Sequence, residues 1–155
     1  MRTFRLTQAA AAFFVAAMFF GGYGAGAQAA GDSPVGLWRI IDDKTGQPQG
    51  IMKIYETSPG MIAGRLEQTF DPTDVNKVCT ECEDDRKDKP LLGLEIMRGL
   101  KKSGDEYNGG SILDPESGDD YGCTIKVTDG GQKLLVRGFL GISLLGRTQT
   151  WIREK

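Results

Sequence analysis

The chain has 155 residues, with 19 Lys and Arg against 21 Asp and Glu, three cysteines and no histidine. The missing histidine excludes every His-based triad, imidazole general base and imidazole metal ligand. The charges are interspersed at a net −2 with no basic stripe, which argues against nucleic acid as a partner.

The first segment is not part of a folded domain. Arg2 and Arg5 stand without an acid beside them, residues 9–20 are an unbroken apolar run, and small residues follow down to Ala27-Gln28-Ala29. This is the n-region, h-region and cleavage site of a secretory signal peptide over residues 1–29, with cleavage expected after Ala29 or Ala30. The run is shorter than the ~20 residues of a bilayer span, so no transmembrane anchor is expected after processing. No cysteine marks the site for lipid attachment, and the pattern is that of a periplasmic or secreted bacterial protein. Residues 30–155 then form one domain by length, with 17 basic against 21 acidic residues, a net −4.

The mature chain reads as strands separated by turns. Residues 37–42 form the first strand, led by Gly36-Leu37-Trp38. Gly36 would let the Trp38 indole lie against the backbone at the end of a small barrel. Asp43-Lys44-Thr45-Gly46-Gln47-Pro48 is a turn. Residues 50–56 and 61–69 are strands two and three, the latter with Ile62, Gly64 and Leu66 on one face. Residues 70–90 are a long irregular stretch carrying Cys79-Thr80-Glu81-Cys82, and such a loop in a compact domain is more often functional than idle. Residues 91–100 resume apolar character and predict a strand, with a short helix as the alternative.

Residues 106–113 form a strand in which Gly109-Gly110 predicts a bulge or bend. After an Asp-rich turn, residues 121–128 alternate cleanly, with Tyr121, Cys123, Ile125 and Val127 inward. Asp129-Gly130-Gly131 is a hairpin turn, and residues 133–140 and 146–153 complete the count. About eight regularly spaced strands without a long helix predict an all-β antiparallel barrel or sandwich. Eight strands close around an interior that side chains fill or that holds one small ligand. In a closed barrel the first and last strands are neighbours, so Arg147 or Arg153 could cap the Trp38 indole by a cation–π contact.

Several motifs occur together: Gly36-x-Trp38, Asp42-Asp43-Lys44-Thr45-Gly46, Cys79-x-x-Cys82 and Pro90-Leu91-Leu92-Gly93. Gly109-Gly110-x-Ile112-Leu113-Asp114-Pro115, Tyr121-x-Cys123, Arg137-Gly138-Phe139-Leu140-Gly141 and Gly146-Arg147-Thr148-Gln149-Thr150-Trp151 follow. The joint set resembles the bacterial family labelled domain of unknown function 2147, small exported proteins with a lipocalin-like barrel. The resemblance spans nearly the whole mature chain. It implies an eight-stranded, up-and-down, lipocalin-like barrel and export, and it brings ligand binding into view; it implies no activity. Lipocalins add a C-terminal helix after the last strand, so the likeness is to the barrel.

The cysteines admit three readings. Cys-x-x-Cys in a thioredoxin-type enzyme sits at a helix N-terminus, whereas here it falls in a loop of an all-β chain. A zinc site would need a carboxylate such as Glu81, Glu83 or Asp84 as a further ligand. A structural disulfide between Cys79 and Cys82, with Cys123 left as a buried thiol, is the preferred reading. Along the last strand Arg147, Gln149, Trp151 and Arg153 share a face by period two, and alternation alone leaves open whether it faces in or out. The acids of residues 114–120 lack the alternating spacing of a calcium loop and read as a turn.

The function expected is binding of a small, partly apolar ligand without catalysis and without a cofactor. The floor is expected at the Trp38 end and the mouth among the loops, including residues 70–90. Trp38, Tyr121, Arg137, Arg147 and Trp151 are the candidate ligand contacts. Arg137 is the first choice and Arg147 the second for an anionic head group. Inward Gly64, Gly110 and Gly138 would leave room. The alternative from another class is a structural or envelope-stress protein whose barrel is filled by its own side chains; a weaker one is a cysteine-based redox or metal-buffering protein.

Overall fold

The computed structural model describes residues 33–155; the expected signal segment lies outside them. Eight antiparallel strands close into an up-and-down barrel in sequence order. They are β1 (Gly36–Ile41), β2 (Pro48–Ser58), β3 (Met61–Thr69) and β4 (Glu95–Ser103), then β5 (Glu106–Leu113), β6 (Asp120–Thr128), β7 (Lys133–Phe139) and β8 (Gly146–Arg153). Among the described residues there is no α-helix.

The turns sort by length to the two ends. At one end β2–β3 and β4–β5 turn through Pro59-Gly60 and Gly104-Asp105, and β6–β7 through a 3-10 turn at Asp129–Gly131. At the other end lie the four longer connections, residues 42–47, 70–94, 114–119 and 140–145. The short-turn end is sealed. There Trp38 is fully buried, and its Nε1 donates to the Pro34 carbonyl at 2.7 Å. The Arg153 guanidinium lies 4.1 Å above the ring centre, and it also donates to the carbonyls of Gly131, Val35 and Ser33. A cation stacked on an indole and bonded to three carbonyls ties the N-terminal segment, the last strand and a turn into one plug. Gly36 is required for this: its φ is +138°, and a Cβ there would sit 2.9 Å from Arg153 Nη1. The expected cation–π cap is therefore Arg153, not Arg147.

Above the plug, Met52, Ile54, Ile62, Met97, Leu100, Ile125 and Leu134 fill the lower barrel and are essentially inaccessible. Each such side chain removed from water contributes about 1.5–3 kcal/mol. Cys123 and Ile125 point inward on β6, as its alternation predicts.

Three sequence expectations change. Residues 91–94 are not strand. Gly93 turns the chain at φ +83°, its N–H donates to the Leu66 carbonyl at 2.7 Å, and β4 begins only at Glu95. Leu91 and Leu94 are apolar because they pack against the core, not because they belong to the sheet. Gly64 leaves no room, since the sulfurs of Met97 and Met52 stand 3.3 and 3.4 Å from where its Cβ would be. Gly110 does not either: a Cβ there would lie 2.1 Å from the Arg98 carbonyl oxygen, so this glycine permits a close backbone approach. The bulge expected at Gly109-Gly110 is present as a register shift between β5 and β6.

The closing seam is short. β1 and β8 share only the pairs Trp38–Arg153 and Arg39–Ile152, whereas β7 and β8 share seven. Toward the long-loop end β8 is tied instead to the connection after β1, with Arg147 Nε donating to Asp43 Oδ2 at 2.6 Å.

Candidate functional site

The upper half of the barrel is hollow. A cavity of about 1700 Å³ opens among the four long loops. Its walls carry Ile40, Leu66, Ile96, Ile112 and Val136, and Met52 and Trp151 lie at its base. Gly138 contributes to the width. A Cβ there would meet Ile112 Cγ2 at 3.5 Å and Tyr121 Cβ at 3.7 Å, which is ordinary contact, so its lack of a side chain opens space.

The polar groups come from one strand face and from the rim. On β8 the face carrying Arg147, Gln149 and Trp151 points inward: Trp151 is buried while Ile152 is 38% exposed. The Trp151 Nε1 donates to Gln149 Oε1 at 3.0 Å, which orients the amide and leaves its NH₂ group to donate into the cavity. Arg147 lies at the mouth, paired with Asp43 and 3.9 Å from Asp42 Oδ2. Hydrogen bonds from Thr45 hold the Asp42 carboxyl below its usual value, so it remains anionic beside that arginine. Asp71, Asp74, Asp114 and Glu116 also line the rim, against Lys44 and Lys77.

The loop over residues 70–94 is a fixed wall. The Cys79–Cys82 disulfide is present, with both residues buried. Cys79 N–H donates to the Lys89 carbonyl and Asp88 N–H to the Cys79 carbonyl, both at 2.9 Å. Arg86, 3% exposed, donates to Asp84 and to Asp120 at the start of β6, while Arg98 grips Asp85 with bonds of 2.7 and 3.0 Å. These arginines hold the carboxyls of Asp84 and Asp85 below the usual range. Asp84 is thereby committed to arginine and not placed as a metal ligand, and both cysteine sulfurs are spent in the bridge. Among the described residues no group of three or more His, Cys, Asp or Glu is arranged to hold a metal. The long loop thus contributes Phe70, Val78, Thr80 and Leu91 to the cavity wall.

Of the five candidate contacts, Tyr121, Arg147 and Trp151 line the cavity, and two stand elsewhere. Trp38 belongs to the sealed plug. Arg137 is on the outer face: β7 turns Leu134, Val136 and Gly138 inward, so the alternate Arg137 points out. There its Nε donates to the Ser143 carbonyl at 2.8 Å and its Nη1 to Thr148 Oγ1 at 3.0 Å. Apolar neighbours in sequence do not make Arg137 interior: Gly138 faces in and Arg137 faces out. Gln149, not among the candidates, also lines the cavity, and its period-two relation to Trp151 marks it once the face is known.

No protein with a curated description matches the sequence. Among solved structures, the fold is similar to that of protein HP1028 from Helicobacter pylori, described as belonging to the lipocalin family. The TM-score is 0.67 with 15% sequence identity, over 79% of this chain and 84% of that one. At that identity the likeness establishes the lipocalin-like barrel. Residues 36–153 match the family described as an uncharacterized protein conserved in bacteria (DUF2147). From the first strand to the last, this chain belongs to that bacterial family.

Proposed function

We propose that the protein is an exported binding protein that holds a small, mainly apolar molecule in the upper half of its barrel, without catalysis. The observation that carries this reading is the cavity itself, with aliphatic side chains on its inner walls, Gln149 and Tyr121 among them and a charged rim at its mouth. A molecule held in the cavity would lose its apolar surface against Ile40, Leu66, Ile112 and Val136. A polar group on it would meet Gln149 deep in the barrel or Tyr121 nearer the mouth. Ten buried CH₂ groups supply ~8 kcal/mol, from which association takes several, so those hydrogen bonds decide the affinity of a linear ligand.

An anionic head group is disfavoured. The one arginine on the lining is neutralised by Asp43, and the acids on the rim outnumber the cations. An uncharged head group fits better. Titration with an uncharged fluorescent naphthylamine probe and with a fluorescent fatty acid, followed by Trp151 emission, tests this. The uncharged probe should saturate and the acid should bind more weakly. Gly138→Leu, which fills the space between Ile112 and Tyr121, should weaken the probe at least about tenfold. A wild type with no saturable signal would leave the reading of a protein that acts through protein contacts ahead.

A further inference from the structure

The connection from β7 to β8 carries the most exposed apolar side chains among the described residues. Leu140, Ile142, Leu144 and Leu145 are 60, 59, 86 and 72% exposed. They sit in the uncharged run 138–146. The loop is a formed turn, closed by Leu145 N–H donating to the Ile142 carbonyl at 3.0 Å. Leu140, Leu144 and Leu145 also border the cavity mouth. Behind the tip, the Arg137 guanidinium binds the Ser143 carbonyl and the Thr148 hydroxyl, neutral partners that leave its charge uncompensated.

We propose that this loop is a membrane-docking tip that inserts its aliphatic side chains into a phospholipid surface and places Arg137 at the headgroups. Three features favour lipid over a protein. Four aliphatic side chains on one turn offer roughly half of the ~800 Å² per partner that a specific protein interface buries. A fluid acyl layer needs no complementary shape, which suits a narrow protruding turn. A cation immediately behind an apolar tip matches the level of lipid phosphates. The position beside the mouth links docking to the cavity reading above, which gives it a purpose; docking itself stands on the loop.

The test is flotation of the protein, recovered from cells expressing the full chain, with vesicles of phosphatidylethanolamine and phosphatidylglycerol and with vesicles of phosphatidylcholine. Wild type should float with both and more strongly with the first. The double variant L144S/L145S should lose at least about tenfold in binding while keeping its unfolding midpoint, since both side chains are exposed. R137Q should lose the preference for phosphatidylglycerol but keep binding to phosphatidylcholine. Intact mass first confirms a start at Ala30 or Gly31, so that no leader carries the protein onto the vesicles. Gly138→Leu should float like wild type, which separates failure of docking from failure of the cavity. Wild type that stays off both vesicles, or L144S/L145S that floats as wild type does, overturns the proposal. So does a wild-type dimer that L144S/L145S dissolves without any vesicle binding, which would make the loop a contact between copies.

Discussion

The two halves of the barrel are built from the same eight strands and differ in what meets across the interior. In the sealed half, Gly64 faces Met52 and Met97, whose long side chains close onto it. In the open half, Gly138 faces Ile112 and Tyr121, which stop at van der Waals contact from its absent Cβ. An inward glycine therefore makes a cavity only where the residues opposite are too stiff to fill it; flexible methionines remove the space. The turns enforce the same division. At one end short turns leave the chain ends and Arg153 to close over Trp38, whereas the four longer connections stand apart and leave a mouth.

The most forceful way to test that division is to open the sealed end. Trp38→Ala removes a fully buried indole together with the ring on which Arg153 rests. It should cost about 3–5 kcal/mol of stability in urea unfolding. A loss below 1 kcal/mol would mean that the plug does not carry the fold.

The disulfide tests the open half. Cys79 and Cys82 are only three apart in sequence, and closing so short a loop contributes about 2 kcal/mol at most by chain entropy. Reduction should lower global stability by no more than that, yet speed proteolysis within residues 79–90, because the bridge secures one wall of the cavity. Unfolding of the whole barrel on reduction would show the halves to be less separable than their packing suggests.

Cys123 gives a pH signature of the sealed interior. Burial pushes its thiol up to about 12, against ~8.5 in an unfolded chain. Below pH 8 it is protonated in both states and contributes no pH dependence. Between pH 9 and 12 the unfolded chain loses this proton first, so native stability falls, by up to about 1.4 kcal/mol per pH unit. Tyr55, raised to about 12 mainly by burial and by its bond to Glu95, acts in the same direction from pH 10 upward. Comparing Cys123→Ala with wild type isolates the thiol: between pH 9 and 10 the alanine variant should lose less stability. Equal slopes would place Cys123 in contact with water.

The strand count and the closure of the barrel are legible in the sequence because alternation and turn residues are local signals. Strand β6 shows this best, with Cys123 and Ile125 inward as the pattern indicates. The Cys79–Cys82 pairing was legible for the same reason, being a contact between near neighbours. What was not legible depends on where the far wall lies. Leu91 and Leu94 look like strand residues because burial against a core and burial in a sheet ask for the same side chains. Gly110 and Gly138 look alike in sequence, yet one meets backbone and the other opens a cavity. For β8 the period gave two faces and no means of choosing; only the partner strand, which turns Leu134 and Val136 inward, decides.

The smallest expected effect tests that choice of face directly. Arg137 and Thr148 are register partners, and the Arg137 side chain reaches the Thr148 hydroxyl on the outer surface. Arg147 and Gln149 flank Thr148 and, by the pleat, point the other way, into the cavity. Arg137→Met should therefore leave the affinity for an uncharged cavity probe within about twofold, since no lining atom changes. Gln149→Leu should weaken the same probe by several-fold if its head group accepts the free amide N–H, because a buried acceptor left unpaired loses about 1–3 kcal/mol. The two residues lie on adjacent strands at similar height, so bulk effects on the barrel are shared and the difference reports orientation. A probe that responded to Arg137→Met and ignored Gln149→Leu would place its binding outside the barrel, against the outer face of β7 and β8.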